Sequence, residues 1–587
     1  MMKIHTKVFP ISIKVFILLL IALLYLGRAF NQIKPYPSGD GVEYVMITEA
    51  LYNHHTPEIK SEDVVSFQKA INKKKKWIEA GYKTDEFNAL RYGLDVNKKI
   101  PVKKNCGGVY PDPSGKYYGF HFFFYSMVNV PGRWIADLVH GNPLRTFQVT
   151  NAFLVVITCG FLLFFSPFNL WFSIFTAIIF AFSTPYWYLG WAHPEILTTC
   201  LVSMACWFFF QKKQFTGIFF MAFASLQNQP LVVMLVFMGL YILYTQGIKQ
   251  KVLMKLGIAA IIACWPPLFY YLHFHSMNLI KDAGFLKTEV ITSLRVFGFY
   301  FDLNQGMILA APIILPLYLL LILKKSVEQI KKEIPFTPDI LLPLFLIVMT
   351  CISSSMINWN HGQAVINRYA TYFCAIIIVH AIFLLNDLKN NTLKHVLFHY
   401  LLISQMASIL YHEKFNYRDY LSNEHKPIAA YILDRYPYLY SPDPHIFTKR
   451  TLGAFSDEMK ESPIIYATRD NWITKILVQK TKMDSLENFG FTKKEIQDLK
   501  NKITFYNGWG YMNQGEYNLN KRPNYYQQIK KRRKRVILQS TIDLIKSTPE
   551  WLHLEEKKAQ EGNLPLDEYI LIDAEYLYND AHKSNPL

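Results

Sequence analysis

Ile11-Ser-Ile-Lys-Val-Phe-Ile-Leu-Leu-Leu-Ile-Ala-Leu-Leu-Tyr-Leu26 decides how the rest of the chain is read. Lys3 and Lys7 precede it, as in a signal peptide, but Arg28, Ala29 and Phe30 follow where a small-x-small cleavage site would stand. A helix of roughly 20 largely uncharged residues crosses a bilayer. Apolar runs approaching that length recur at 147–166, 169–185, 195–211, 214–228, 230–245, 253–273, 305–323, 338–356, 369–386 and 395–411. With Ile11–Leu26 kept as an uncleaved first span, the sequence predicts an α-helical polytopic membrane protein of about eleven transmembrane helices.

The net charge of +18 would point to nucleic acid in a soluble protein. Here the lysines fall in short connectors between spans: Lys212 and Lys213; Lys249, Lys251 and Lys255; Lys324, Lys325, Lys331 and Lys332; Lys389 and Lys394. A cytoplasmic N-terminus puts all four groups on the cytoplasmic side, as the positive-inside rule expects, and leaves no role for nucleic acid. The same count places a large first loop, 31–146, and a C-terminal region, 412–587, outside the membrane. One step carries the orientation: reading 214–228 and 230–245 as a single bent helix would invert everything after it. Of the seven cysteines only Cys106 lies in a polar loop, so no disulfide framework or metal spacing emerges.

Outward from the first span, Tyr36-Pro-Ser-Gly-Asp-Gly-Val-Glu-Tyr44 opens the outer loop. Pro37, Ser38 and Gly39 make a turn, and helical spacing from Gly41 to Tyr52 sets Asp40 at or next to a helix N-terminus, with Glu43 one turn on. Both carboxylates can then face one site, although an aspartate there is also an ordinary helix cap. Lys73–Lys76 and Lys98–Lys104 read as solvated surface. The stretch Gly115-Lys-Tyr-Tyr-Gly-Phe-His121, continuing through Pro131, Arg133 and Trp134, has the aromatic and basic makeup of a helix lying in the membrane interface.

The remaining outer connectors are also polar and aromatic. They hold Trp187, Trp191, His193 and Glu195; the Asn228-Gln229-Pro230 turn; the region 274–304; and Trp359-Asn-His361-Gly-Gln-Ala-Val-Ile-Asn-Arg368-Tyr369. Such one-sided clustering predicts an active site at one membrane surface rather than a path through the middle. The region 412–587 is not membrane-like. Short strands at Pro463–Thr468 and Ile473–Val478 predict a soluble α+β domain. Its Lys530–Arg535 run reads as a solvated helix or as a contact for anionic headgroups or an acidic glycan.

These residues resemble the GT-C superfamily of polyprenyl-phosphate-sugar-dependent glycosyltransferases, which includes protein O-mannosyltransferases and lipid A aminoarabinose transferases. Asp40-Gly-Val-Glu43-Tyr44 resembles the family's first-loop acidic motif, departing from it in spacing its two acids; Tyr117-Tyr-Gly-Phe-His121 is similar to a Tyr-Tyr-x-His segment before the second span. Trp359 to Tyr369 is similar to a Trp-x-Gly-x-x-x-Gly-x-Arg-Tyr segment without its second glycine. The resemblance covers residues 1–411 and implies a membrane-embedded catalytic module. It implies transfer of a sugar from a lipid donor to a hydroxyl on a glycan, lipid or protein acceptor, on the outer face of a bacterial inner membrane, with inversion.

Asp40 is then the candidate general base, with Glu43 as its alternative or its orienting partner. Arg368 would grip the donor phosphate with two hydrogen bonds, although an interfacial arginine also snorkels to headgroups. His361, Lys116, His121 and Tyr44 are the candidate donor or acceptor contacts. His193 and Glu195 would touch the sugar or a divalent metal ion, but two ligands do not make a metal site. Two other classes stay open: a transporter or flippase, which would show repeated halves and broken helices at midplane, and a non-catalytic anchor presenting the C-terminal domain.

Overall fold

The computed structural model describes residues 2–32, 40–72, 90, 94, 108–332, 337–357, 359, 363–414, 424–453, 462–468, 470, 472–519, 526–547 and 549–582. The chain divides into two compact units. One comprises Met1–Lys287, Ala310–Met356 and Arg368–Tyr417; the other comprises Thr288–Leu309, Ile357–Asn367 and Arg418–Leu587. The polar connectors 288–309 and 357–367 group with the C-terminal region.

The first unit is helical. The lysine inside the opening apolar run is accommodated: Lys14 Nζ donates to the Leu163 carbonyl at 2.6 Å, near the C-terminal end of the Arg145–Phe164 helix, where a cation complements the unpaired carbonyls. The expected spans fall largely on helix, but 305–323 is interrupted at 311–313 and 169–185 at 182–183. Among the described residues, five helices are long and apolar enough to cross a membrane, or up to six if the pair Gln250–Ala263 and Trp265–Phe274, bent by 42°, is one span. Glu195–Phe210, Pro338–Ser354 and Ala370–Asn386 are apolar but shorter. At 1.5 Å per residue, helices of this kind reach about 25 Å, less than the ~30 Å hydrocarbon core. Gln214–Gln227 and Val232–Gln246 are two helices, not one. Gln214, at the start of the first, accepts from Gln246, at the end of the second, at 2.6 Å, so the pair is an antiparallel hairpin broken at Asn228.

The first loop is folded onto this bundle. Gly41 to Ala50 of the Asp40–His54 helix are all buried, as expected of a helix lacking a polar stripe. They share a core with Phe67, Val109, Tyr125, Leu197, Leu226 and Tyr270. The helix expected at the interface starts later than its composition suggested. Val109–Pro111 and Tyr117–Gly119 form an antiparallel hairpin, with Asp112 Oδ1 accepting from the backbone N–H groups of Ser114 and Lys116 in its turn. Helix begins only at Phe124 and runs to Leu138. This helix exposes Met127, Trp134, Ile135 and Leu138, an apolar stripe of interfacial type. Arg133 lies on the opposite side: it does not snorkel outward but is buried against Glu49, its Nε and Nη2 donating to the two carboxylate oxygens.

The second unit is mixed. An antiparallel sheet runs in the order Ile464–Ala467, Ile473–Gln479, Trp509–Asn513, Phe505–Tyr506. Alternation splits it into two packed faces. Ile465, Ile476, Val478 and Met512 pack with the Lys493–Lys502 helix, and Ile464, Leu477 and Trp509 pack with residues of the Pro427–Arg435 and Pro444–Leu452 helices. Trp359 is fully buried here, stacked on Phe299 at 5.2 Å, with the Arg295 guanidinium 5.1 Å from its ring. The Lys530–Arg535 run lies on the Tyr526–Ser547 helix, where Lys534 pairs with Glu575 at 3.7 Å.

Candidate active site

Within the first unit, Asp40 occupies the first position of its helix and Arg368 sits just before the Ala370–Asn386 helix. They lie 328 residues apart in sequence, yet Arg368 Nη1 donates to Asp40 Oδ2 at 2.8 Å. Arg368 Nη2 also donates to the Tyr369 hydroxyl at 2.9 Å. The Arg368 side chain is 11% exposed, and that of Asp40 keeps 35% of its exposure. Burial would raise the Asp40 carboxyl. The guanidinium of Arg368, helped by His121 and His193, overcomes this and holds it well below the usual carboxylate range.

Glu43 has a different environment. It is fully buried, and its two oxygens accept from the backbone N–H of His121 at 2.7 Å and from His121 Nδ1 at 3.0 Å. The backbone of Gly119 approaches so closely that a Cβ there would lie 2.5 Å from Ile47 Cδ1 and 2.6 Å from Glu43 Oε1, so any larger residue must displace the ends of both side chains. Burial pushes the Glu43 carboxyl above its ordinary value, against the pull of His121. Burial would likewise lower the His121 imidazole, but the Glu43 carboxylate outweighs it and raises His121.

A cavity of about 290 Å³ gathers Asp40, Tyr44, His121, His193, Glu195 and Arg368 on its lining. Six sequence candidates thus meet at one place, from the first loop, the connector before Glu195–Phe210, and the segment before Ala370. Of the other three, two do not. Glu43 is behind His121 and does not line the cavity, Lys116 is exposed on the hairpin turn, and His361 lies outside the described residues. Glu195 is 8% exposed, and its Oε2 is buried with no hydrogen-bond partner among the described residues. His193 packs against Tyr44 and Trp191, with ring centroids 5.9 Å and 4.9 Å apart.

The remaining lining has two characters. Gln227, Asn228, Gln229 and Asn278 bring side-chain amides, and Leu226, Val233, Leu279, Leu286, Ile352 and Met356 make an apolar wall. Sequence reading missed the roles of Gln227 and Asn278. The signal for the first was the polar break between two apolar runs, and Asn278 lay unmarked in a long connector. No group of three or more His, Cys, Asp or Glu side chains is arranged to hold a metal ion among the described residues. The arrangement can bind an anion at Arg368, present a carboxylate and an imidazole beside it, and hold an aliphatic group against the apolar wall. Comparison with known protein families, with characterised proteins and with solved structures returns no match for this chain.

Proposed function

We propose that this chain is a membrane glycosyltransferase that moves a sugar from a polyprenyl-phosphate donor to an acceptor hydroxyl. One observation carries the reading: Asp40 and Arg368 meet at 2.8 Å on the wall of a cavity that also holds His121 and an apolar lining. A lipid phosphate sugar needs all of these together: a cation for the phosphate, a base for the acceptor, and room for the first aliphatic units.

In the proposed reaction the acceptor oxygen bonds to the anomeric carbon as the carbon–oxygen bond to phosphate breaks. The bonding pair leaves with the polyprenyl phosphate, and the acceptor proton passes to Asp40. Arg368, with the imidazolium of His121, stabilises the departing phosphate. Glu43 takes the orienting role, because both of its oxygens are engaged by His121 and it has no access to the cavity. Before the donor enters, Asp40 is a weak base, tied to Arg368. A phosphate that draws Arg368 away also restores the basicity of Asp40, so base and donor arrive in order.

The test is release of polyprenyl phosphate from labelled polyprenyl-phosphate hexoses and pentoses by the purified, reconstituted protein. Wild type should transfer or hydrolyse at least one of them, and Arg368→Ala should not. A protein that binds the lipids but neither transfers nor hydrolyses any overturns the reading and leaves the flippase in its place.

A further inference from the structure

We propose that the C-terminal unit carries a carbohydrate-binding cleft, built on the outer end of its sheet for a neutral oligosaccharide. The cleft has a volume of about 500 Å³, within the range of small-molecule sites. Its floor comes from the hairpin joining Phe505–Tyr506 to Trp509–Asn513. Asn507 and Gly508 both have positive φ (48° and 79°), the geometry of a tight two-residue turn, and this sets Tyr506 opposite Trp509. Trp509, Tyr511 and Asn513 follow at intervals of two and share a face. A second turn at Gly515, with φ of 102°, brings Glu516 and Tyr517 onto the same cleft.

The polar groups are already aimed. The Tyr511 hydroxyl donates to the Pro442 carbonyl at 2.7 Å. The Asn513 amide is fixed at both ends: its oxygen accepts from the buried Lys475 ammonium group, and its nitrogen donates to Glu516 Oε2 at 2.9 Å. Tyr506 is 57% exposed, so an aromatic face is held open beside a fixed amide and a carboxylate.

That combination selects the ligand class. A pyranose ring offers a face of C–H groups, which pack on electron-rich aromatic rings, and a rim of hydroxyls, which need paired donors and acceptors. An aliphatic chain would leave the second Asn513 N–H and the Glu516 carboxylate without use; Lys502, also on the lining, is paired with Asp498 at 2.7 Å, so an acidic glycan would meet the Glu516 carboxylate. The cleft lies wholly within the second unit and does not rest on the transfer reading.

The experiment uses the full-length protein in lipid nanodiscs, because sugar-headed detergents would compete. Cellohexaose, chitohexaose, an oligogalacturonate and a decaproline peptide are the probes, read by saturation-transfer NMR and calorimetry without donor lipid. Either neutral hexamer should bind saturably, and Tyr506→Ala and Tyr517→Ala should each weaken it about 5- to 10-fold with the thermal transition unchanged. Failure of both neutral hexamers to bind overturns the proposal. So does binding that is indifferent to both tyrosine variants, or binding of the oligogalacturonate or decaproline alone.

Discussion

Asp40→Asn removes a charge while keeping the shape of the side chain, and its consequences separate two roles. In the resting protein Asp40 and Arg368 are joined at 2.8 Å, one side chain 35% exposed and the other 11%. Unit charges about 4 Å apart at an effective dielectric near 20 attract by about 4 kcal/mol. Desolvation and side-chain ordering cancel more than half of that for a partly buried pair, leaving about 1–2 kcal/mol. Asparagine forfeits that amount of stability, a modest drop in apparent melting temperature. The Asp40 carboxyl is depressed in the fold. Its contribution is therefore present above the unfolded value near 4 and is lost as pH falls through the folded value, so the variant should lose part of the acid dependence of stability.

Activity should move much further. Loss of a positioned general base lowers turnover by about 10²–10⁴-fold. Donor binding should go the other way: a phosphate entering wild type competes with Asp40 for Arg368, and in the variant it does not. Relief of about 1 kcal/mol tightens the donor by about 5-fold. Calorimetric titration of a non-transferable polyprenyl-phosphate analogue, beside single-turnover transfer, measures both. Turnover at the wild-type rate, or donor affinity falling in parallel with turnover, refutes the reasoning.

Other residues make further outcomes testable. Glu43 raises the His121 imidazole, so the imidazolium persists to higher pH, and activity that depends on it is lost as pH rises through the folded value. Glu43→Gln should shift that alkaline limb to lower pH in a pH–rate profile. Gly119→Ala places a methyl group 2.5 Å from Ile47 Cδ1 and 2.6 Å from Glu43 Oε1; it should destabilise by about 1–3 kcal/mol and depress transfer by displacing His121, read by thermal melting and turnover. Arg133→Met strands the buried Glu49 carboxylate and should cost about 3–5 kcal/mol, whereas the paired change with Glu49→Leu should recover most of it. In the second unit burial pushes the Lys475 amine down to about 7. The unfolded chain holds that proton up to about pH 10, so folding stability rises with pH between these values, and Lys475→Met should remove that slope in denaturant titrations.

What the sequence disclosed was periodicity and grouping; what it withheld was pairing. The alternation of lysine-bearing connectors marked Asp40, His193, Glu195 and Arg368 as neighbours on one face, and all four line one cavity. The helical spacing of Asp40 and Glu43 was also legible, but positions three apart on a helix diverge enough to meet different surroundings. One acid opens on the cavity and the other is closed behind His121, 78 residues away. Composition also misjudged Arg133, because a basic residue among aromatics suits an interface and a buried ion pair equally well. Only Glu49, brought against it by the packing of the Asp40–His54 helix on Phe124–Leu138, decides between them.

The polar connectors 288–309 and 357–367 carried no local sign that they belong with the C-terminal unit. Trp359, Phe299 and Arg295 join the two connectors to each other, and Asp302 and Asn304 tie them to the C-terminal region through the Tyr440 hydroxyl. The clearest case is Gly119. In sequence it was one glycine within an aromatic stretch, but a Cβ there would press on the ends of Ile47 and Glu43, beside the carboxylate that meets His121 at 3.0 Å. A residue that acts through an absent side chain leaves no chemical signature to read, although the geometry of the site depends on it.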